Sequence, residues 1–309
     1  MLEHARSLEA QSKAGKDLAD PESRKAAQSA FQAALNDAAR NAASAWVLRA
    51  LYSPDQLRER LTWFWFNRLN VHQGKSTLRA AVGDYVDTAI RPHVLGRFRD
   101  LLMASLRHPA MLRYLDHDAN VSRALATYFL GQAPDDALVA RLAAIFTRTE
   151  GDIAAVMEAL IRDPTFAAAQ TSAFKDPVRY VFSALRMAYD ERVILNTAPV
   201  LGWLNRLGEG LFNRSTPDGY ALDAAAWSGP GQLTTRFEIA RQIGSGPAGL
   251  FKPSAPDRPE EPAFPVLANA LYFSTLSGTL SAPTKGALAQ AVSPQDWNTL
   301  YLASPEFMR

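Results

Sequence analysis

The sequence predicts an all-α fold, an irregular multi-helix globular bundle with long ordered loops. Apolar residues recur every three or four positions along most of the 309 residues, which is the helical period. Strand-like alternation of apolar and polar residues never continues beyond about four residues. Since 48% of the residues are hydrophobic, the chain can bury a core of ordinary size.

The N-terminal part predicts one long helix followed by an aromatic one. Residues 21–51 are rich in Ala, Gln, Arg and Lys and lack Gly and internal Pro, which favours a continuous helix. Ser53 is the expected N-cap of the next helix, with Pro54 at its first position. That helix holds four consecutive aromatic residues at 63–66. One buried face cannot take all four rings, so at least one faces another helix or a groove for a ligand or partner.

Further helices follow along the chain. A helical segment at 77–90 leads into Arg91-Pro92, where proline is expected to open a helix with an apolar stripe. Residues 199–231 are rich in Gly, Pro, Asn and Trp, which predicts a long ordered loop. The other predicted helices are 121–130, 135–147, 152–161, 177–189, 232–243, 266–276, 284–292 and one capped by Ser293-Pro294. We therefore predict a helical core at 1–243, a Pro/Gly-rich linker or arm at 244–265, and C-terminal helices at 266–309 that pack on the core.

Composition excludes several classes of function. The 33 basic and 31 acidic residues nearly cancel, so no overall field favours nucleic acid or an anionic membrane. With no cysteine, disulfides, cysteine-bound metals and thiol catalysis are ruled out. No stretch is apolar for long enough to span a bilayer, and no signal peptide is visible. The sequence predicts neither a metal nor any other cofactor, and the residues alone leave the compartment unknown.

Two glycine-containing motifs lack the context that nucleotide binding requires. The sequence Gly-Lys-Ser-Thr at 74–77 has Leu69 where a P-loop needs its first glycine, and a helix precedes it instead of a strand. The glycine-rich stretch 244–249 follows a helix and precedes a proline-rich segment. A dinucleotide site needs a strand before its glycines and a helix after them.

One arginine cluster stands out. Five arginines lie between residues 91 and 113, against the single Asp100. Arginine binds phosphate and sulfate through two parallel hydrogen bonds, so an anion site and salt bridges between helices are the two alternatives.

Several segments together resemble the bacterial family called Domain of Unknown Function 1800. They are YSPDQLRERLTWFWFN at 52–67, IRPHVLGRFRDLLMASLRHPAMLRYLD at 90–116, TPDGY at 216–220 with Trp227, and LASPEF at 302–307. The resemblance runs from about Ala26 to the end. It implies a bacterial, extracytoplasmic protein, periplasmic or secreted, with a protein partner that resembles a sulfatase.

The sequence departs from the family pattern in two ways. Arg68 follows Asn67 where the family usually has histidine, so a histidine-based site is not expected there. At Asn120–Val121 the chain passes directly to a much later part of the pattern, as if well over a hundred residues were missing. A naturally shortened relative, an engineered deletion and an omitted segment are the alternatives. The N-terminal part typical of the family is also expected to be missing.

These observations lead to two hypotheses about function. The leading one is a non-catalytic helical scaffold or interaction protein, because no catalytic constellation converges in the sequence. The alternative is a metal-dependent or hydrolytic enzyme with its site around Arg91, His93 and Asp116, completed by the absent segment. Catalytic residues stay unknown. The candidates for ligand binding are Trp63, Trp65, Asn67, His72, Arg91, His93, Arg97 and Asp116.

Overall fold

A computed structural model of the chain describes residues 20–72, 78–108, 121–149, 152–190, 192–216, 219–253 and 257–309. Within these ranges every regular element is a helix and no β-strand occurs, which confirms the all-α prediction. None of the helices in the described ranges combines the length and apolar character needed to cross a membrane.

The chain forms two compact units. Unit 1 consists of Met1–Ala126, Asp135–Arg162 and Leu211–Tyr220, and unit 2 consists of Thr127–Pro134, Asp163–Gly210 and Ala221–Arg309. The domain boundaries proposed from the sequence stay a prediction.

Unit 1 begins with the long helix that the sequence predicts. Asp20 caps this helix, because its carboxylate accepts hydrogen bonds from the backbone N–H groups of Glu22 and Ser23. The described helices that lie wholly or partly in this unit are α1 (Pro21–Tyr52), α2 (Gln56–Arg68), α3 (Leu78–Asp84), a π-helix (Tyr85–Ile90), a 3-10 helix (Arg91–His93), α4 (Phe98–Arg107), the start of α5 (Val121–Leu130), α6 (Asp136–Arg148) and α7 (Ile153–Arg162).

The aromatic helix α2 starts later than predicted. Its N-cap is Asp55, whose side chain accepts a hydrogen bond from the Arg58 N–H. Ser53 instead ends α1, since its N–H donates to the Arg49 carbonyl over 2.9 Å. The predicted cap at Ser53 is therefore wrong, because the preceding helix already uses that residue.

The segment 77–90 contains a change of helix type. The α-helix ends at Asp84 and continues as a π-helix from Tyr85 to Ile90. Arg91-Pro92 was predicted to open the next long helix, but it forms only the three-residue 3-10 helix. Gly96 turns the chain there, because its N–H donates to the His93 carbonyl over 3.0 Å. The next helix, α4, therefore begins at Phe98.

Unit 2 contains the predicted helix 177–189 with the same bounds. Asp176 caps it by accepting a hydrogen bond from the Arg179 N–H over 2.7 Å. Ser293 caps the last helix as predicted, with its Oγ accepting from the Asp296 N–H. The other described helices of this unit, beside the end of α5, are α8 (Pro164–Ser172), α9 (Pro177–Tyr189), α10 (Ala198–Arg206), a 3-10 helix (Ala224–Trp227), α11 (Pro230–Ser245), a π-helix (Tyr272–Leu276), a 3-10 helix (Ser277–Thr279), α12 (Ala282–Ala289) and α13 (Pro294–Leu302).

Helix α10 corrects the prediction of a continuous loop at 199–231. Pro199 lies in its first turn, where proline is tolerated. The helix buries Val200, Trp203 and Leu204, so packing outweighs the weak helix propensity of Gly202. Helix α8 was also missed, although Asp163-Pro164 provides a cap and a first residue.

The C-terminal motif at 302–307 fixes the start of α12. The Glu306 carboxylate accepts hydrogen bonds from the Ser281 N–H over 3.0 Å and from the Thr284 Oγ1 over 2.7 Å. Partial burial raises the pKa of Glu306, but the hydrogen bonds from Ser281 and Thr284 outweigh it and lower this pKa to about 2. The carboxylate thus serves as a second cap on α12.

Replacing Glu306 with glutamine should lower the free energy of unfolding at neutral pH by roughly 1.5–3 kcal/mol, the range for hydrogen bonds to a charged group. Because the folded-state pKa is below the ordinary 4.5, this stabilisation is present above that pH and is lost as the pH falls toward 2. Urea unfolding at a series of pH values should therefore show the two proteins converging in acid. The exposed Glu158→Gln variant is the control. A difference that stays constant with pH would contradict the assignment.

Candidate functional site

A groove runs between α1 and α3 in unit 1. Its volume is about 600 Å³, and most of its lining is apolar with a few polar groups, which is typical of binding sites. We call it the α1–α3 groove. It is lined by Ala34, Asp37, Ala38, Asn41, Ala42, Ala45, Trp46, Arg49, Ala80, Gly83, Val86, Asp87 and Phe212.

A row of alanines lines the α1 side of this groove. Ala34, Ala38, Ala42 and Ala45 lie three or four residues apart on α1, and each is only partly buried. Residues at that spacing share one helix face. Because alanine ends at Cβ, a second backbone can approach this face closely.

A bidentate ion pair lies at one end of the groove. The Arg49 guanidinium donates from Nη1 to Asp87 Oδ1 and from Nη2 to Asp87 Oδ2, the second bond measuring 3.0 Å. Both side chains are partly exposed, at 36% and 27%, so they remain accessible from the groove. Asp87 belongs to the π-helix, and such helical irregularities are frequent at functional sites.

The start of the π-helix is tied into a buried polar network. Asp84 Oδ2 lies 3.1 Å from His108 Nε2 at the end of α4. The Tyr85 hydroxyl donates to the Leu69 carbonyl over 2.7 Å and lies 2.6 Å from the Ser105 hydroxyl. Burial raises the pKa of Tyr85 well above its ordinary range. The network joins α3 to α4.

The aromatic residues Trp63 and Trp65 lie inside unit 1. Each is 2% exposed. The Trp63 ring contacts Trp46 at a centroid distance of 5.1 Å, and the Trp65 ring contacts Phe98 at 5.4 Å. The indole Nε1 of Trp65 has no hydrogen-bond partner in the described part of the chain. The second surface that the aromatic run requires is thus formed by other side chains, and binding of a ligand by these rings stays a prediction.

Asn67 holds the segment 219–220 against α2. Its Nδ2 donates to the Tyr220 carbonyl over 3.1 Å, and its Oδ1 accepts from the Tyr220 N–H. Gly219 has a φ of +75°, and a Cβ there would lie 2.1 Å from the Asn67 carbonyl oxygen. Only glycine fits this position. The contacts of Asn67 therefore explain why the motif at 216–220 accompanies the aromatic run.

Arg91 is held in a pair with a buried carboxylate. Its Nε and Nη2 donate to Glu59 Oε1 over 3.1 and 2.5 Å, and Glu59 is 2% exposed. The hydrogen bond to Glu59 raises the pKa of the Arg91 guanidinium. This pair joins α2 to the 3-10 helix that follows the π-helix.

The remaining predicted site residues lie apart from the groove lining. His93 shares the 3-10 helix with Arg91 and is partly buried, while Arg97 is exposed at the N-cap of α4. His72 is partly buried, and no described residue offers its Nδ1 a hydrogen bond. Asp116 lies outside the described residues. Among the residues that are described, no three metal-ligating side chains come together.

Sequence reasoning missed Arg49, Asp87 and the groove itself. The alanine spacing on α1 is a visible signal, but it indicates close packing with another helix as readily as a groove. The pairing of Arg49 with Asp87 joins residues 38 positions apart, and no local pattern reveals such a contact.

The family model described as "Protein of unknown function (DUF1800)" matches residues 1–124 and 119–309. The two matched segments overlap at residues 119–124, next to the junction predicted at Asn120–Val121. The match also begins upstream of Ala26. No match is found among the curated proteins or among the solved structures. Because the matched segments together take in the whole chain, the protein belongs to the DUF1800 family of proteins of unknown function.

Proposed function

We propose that this protein is a non-catalytic, extracytoplasmic helical scaffold that holds a protein partner through the α1–α3 groove. The observation that carries the proposal is the row of partly exposed alanines, Ala34, Ala38, Ala42 and Ala45, along one face of α1. The extracytoplasmic location rests on the family resemblance.

The dimensions of the groove suit a partner helix. Ala34 and Ala45 are separated by eleven positions, which is about 17 Å along a helix axis. That length corresponds to three turns of a partner helix. Recognition of an amphipathic helix in a groove uses anchors at three- and four-residue spacing, which matches the spacing of the alanines.

The chemistry of the groove suits a partner helix that has an apolar face and a polar group at one end of that face. Trp46 and Phe212 contribute aromatic surface to the lining. The Arg49–Asp87 pair offers both signs of charge at one end, so a polar group of the partner can be oriented there. Asp37 and Asn41 supply further polar groups in the lining.

Filling the groove should weaken binding of the partner, and circular dichroism distinguishes this effect from unfolding, because Ala38 also packs against Leu35 and Ala80. We expect Ala38→Phe to weaken binding of the partner by more than about tenfold, a loss of roughly 1.4 kcal/mol of binding free energy. The phenyl ring would occupy the space that the apolar side chains of the partner helix need. Ala33→Phe is the matched control, since Ala33 is exposed on the same helix and does not line the groove. The measurement is a pull-down from native extracts with all three proteins, followed by titration of the purified partner. A sulfatase-like protein is the first partner to reconstitute.

Two results would overturn the proposal. One is a partner retained equally by Ala38→Phe and the unchanged protein. The other is the absence of any retained partner together with measurable turnover on a panel of esters and glycans, which would favour a hydrolytic site around Arg91, His93 and Asp116.

A further inference from the structure

Helix α4 carries an exposed cationic face that the proposed function does not use. Arg97, Arg99, Asp100, Met103 and Arg107 line a second groove of about 430 Å³. We call it the α4 arginine face. Three arginines against one aspartate give it a net positive charge, and Met103 is 38% exposed. No side-chain hydrogen bond or ion pair joins Arg99 or Arg107 to the described residues.

The placement of Arg99 opposes the stability of its own helix. It lies in the first turn of α4, where the helix dipole favours anions and disfavours cations. Asp100 lies in the same turn and offsets part of this unfavourable effect. An anionic group bound at Arg99 would offset it further.

The spacing of the arginines indicates a ligand with two separated anionic groups. Arg99 and Arg107 are eight residues apart on one face, so their Cα atoms lie about 12 Å apart. A single sulfate or phosphate can take a bidentate hydrogen bond from one of these guanidiniums, but it is too small to bridge both. Met103 lies between them and offers an apolar contact.

We propose that the α4 arginine face binds an acidic peptide segment of a protein partner. Two carboxylates about two helical turns apart would pair with Arg99 and Arg107, and an apolar side chain between them would cover Met103. Arginine and methionine are enriched in protein interfaces, and their alternation here favours a peptide over a purely ionic ligand. No residue lines both this face and the α1–α3 groove, so the two surfaces can be tested independently.

The test is fluorescence anisotropy of a labelled helical peptide, with two glutamates seven positions apart and a leucine between them, titrated with the full chain. Binding should weaken as salt rises, and it should fall at least about tenfold in Arg99→Ala/Arg107→Ala, because charge pairs across interfaces are strongly coupled. Arg99→Lys/Arg107→Lys should retain part of the affinity, since it keeps the charge but loses the bidentate geometry. The matched control is Arg24→Ala/Arg162→Ala, which removes the same charge from exposed positions elsewhere.

Three results would overturn the inference. The first is equal binding of the glutamate peptide and its glutamine counterpart. The second is an equal loss in the Arg24→Ala/Arg162→Ala control, because general charge would then explain the binding. The third is binding of a sulfated oligosaccharide at this face without binding of the glutamate peptide. Circular dichroism of all three double variants verifies that a loss of binding does not come from unfolding.

Discussion

Replacing Arg236 with alanine is expected to lower the free energy of unfolding by roughly 3–5 kcal/mol, the range for truncating a large buried side chain to alanine. Arg236 is completely buried in unit 2. Its guanidinium lies 4.5 Å from the Phe174 ring centroid and 4.7 Å from that of Tyr180, and its Nη2 donates to the Lys175 carbonyl over 2.7 Å. Alanine removes all of these contacts and leaves a cavity.

The charge of Arg236 contributes less than its volume. Burial lowers the pKa of this arginine to about 10, although Tyr180, Asp176 and Glu209 act to raise it. Its Nε and Nη1 are buried without a hydrogen-bond partner among the described residues, and an unmatched buried donor costs free energy. We therefore expect Arg236→Met to stay within about 1 kcal/mol of the unchanged protein, since apolar replacement of a buried ion is often neutral.

The measurement is urea unfolding followed by tryptophan fluorescence, with exposed Arg241→Ala on the same helix as the control. That control should change stability by no more than about 0.5 kcal/mol. If Arg236→Met were as unstable as Arg236→Ala, the charge itself would be required. An anion held by the two free N–H groups would then be the explanation to pursue.

The same substitution changes how stability depends on pH. Burial, with the charges of Arg236 and Arg179, lowers the pKa of Lys175 from 10.5 to about 8. Between these two values the unfolded chain binds more protons than the folded protein, so stability should rise with pH in that window. In Arg236→Met the rise should be smaller, because one of the two neighbouring charges is gone.

Residues next to one another in the sequence predicted the helices well, as particular caps illustrate. Asp176-Pro177 and Ser293-Pro294 combine a capping side chain with proline in the first turn, and both helices begin where expected. Ser53-Pro54 has the same form, yet the helix after it begins at Gln56, because Ser53 completes the preceding helix. A cap pattern is reliable only where no neighbouring element competes for the residue.

Contacts between distant residues could not be predicted in the same way. The π-helix depends on partners from elsewhere in unit 1: Asp87 pairs with Arg49, and Tyr85 lies against Ser105. Arg236 offered a weak signal, since it falls on the helix face of Ile239, Ala240 and Ile243, where a cation is unexpected. The α1–α3 groove depends on how α1 packs against α3, and hydrophobic periodicity alone does not predict that packing.

The pair of Arg91 with Glu59 leads to the second large expected effect. Arg91→Ala leaves the carboxylate of Glu59, which is 2% exposed, without the guanidinium that binds it. Removing one member of such a pair typically costs about 3–5 kcal/mol, because the other charge stays buried and unpaired. Arg97→Ala is the control, since Arg97 is an exposed arginine of the same predicted site, and it should cost no more than about 0.5 kcal/mol.

A double-mutant cycle separates a structural role of Arg91 from a role in ligand binding. Arg91→Met and Glu59→Leu should each destabilise the protein, while the combined variant should be less unstable than their sum by about 0.5–3 kcal/mol. Urea unfolding of the four proteins gives this coupling free energy. Additive effects would instead mean that Arg91 and Glu59 do not stabilise each other. Arg91→Ala would then be stable but unable to bind a ligand. In that case Arg91 and His93 would return as the centre of an enzymatic site. A strong coupling means that Arg91 holds α2 to the end of the π-helix, and so fixes the segment whose Asp87 forms the polar end of the α1–α3 groove.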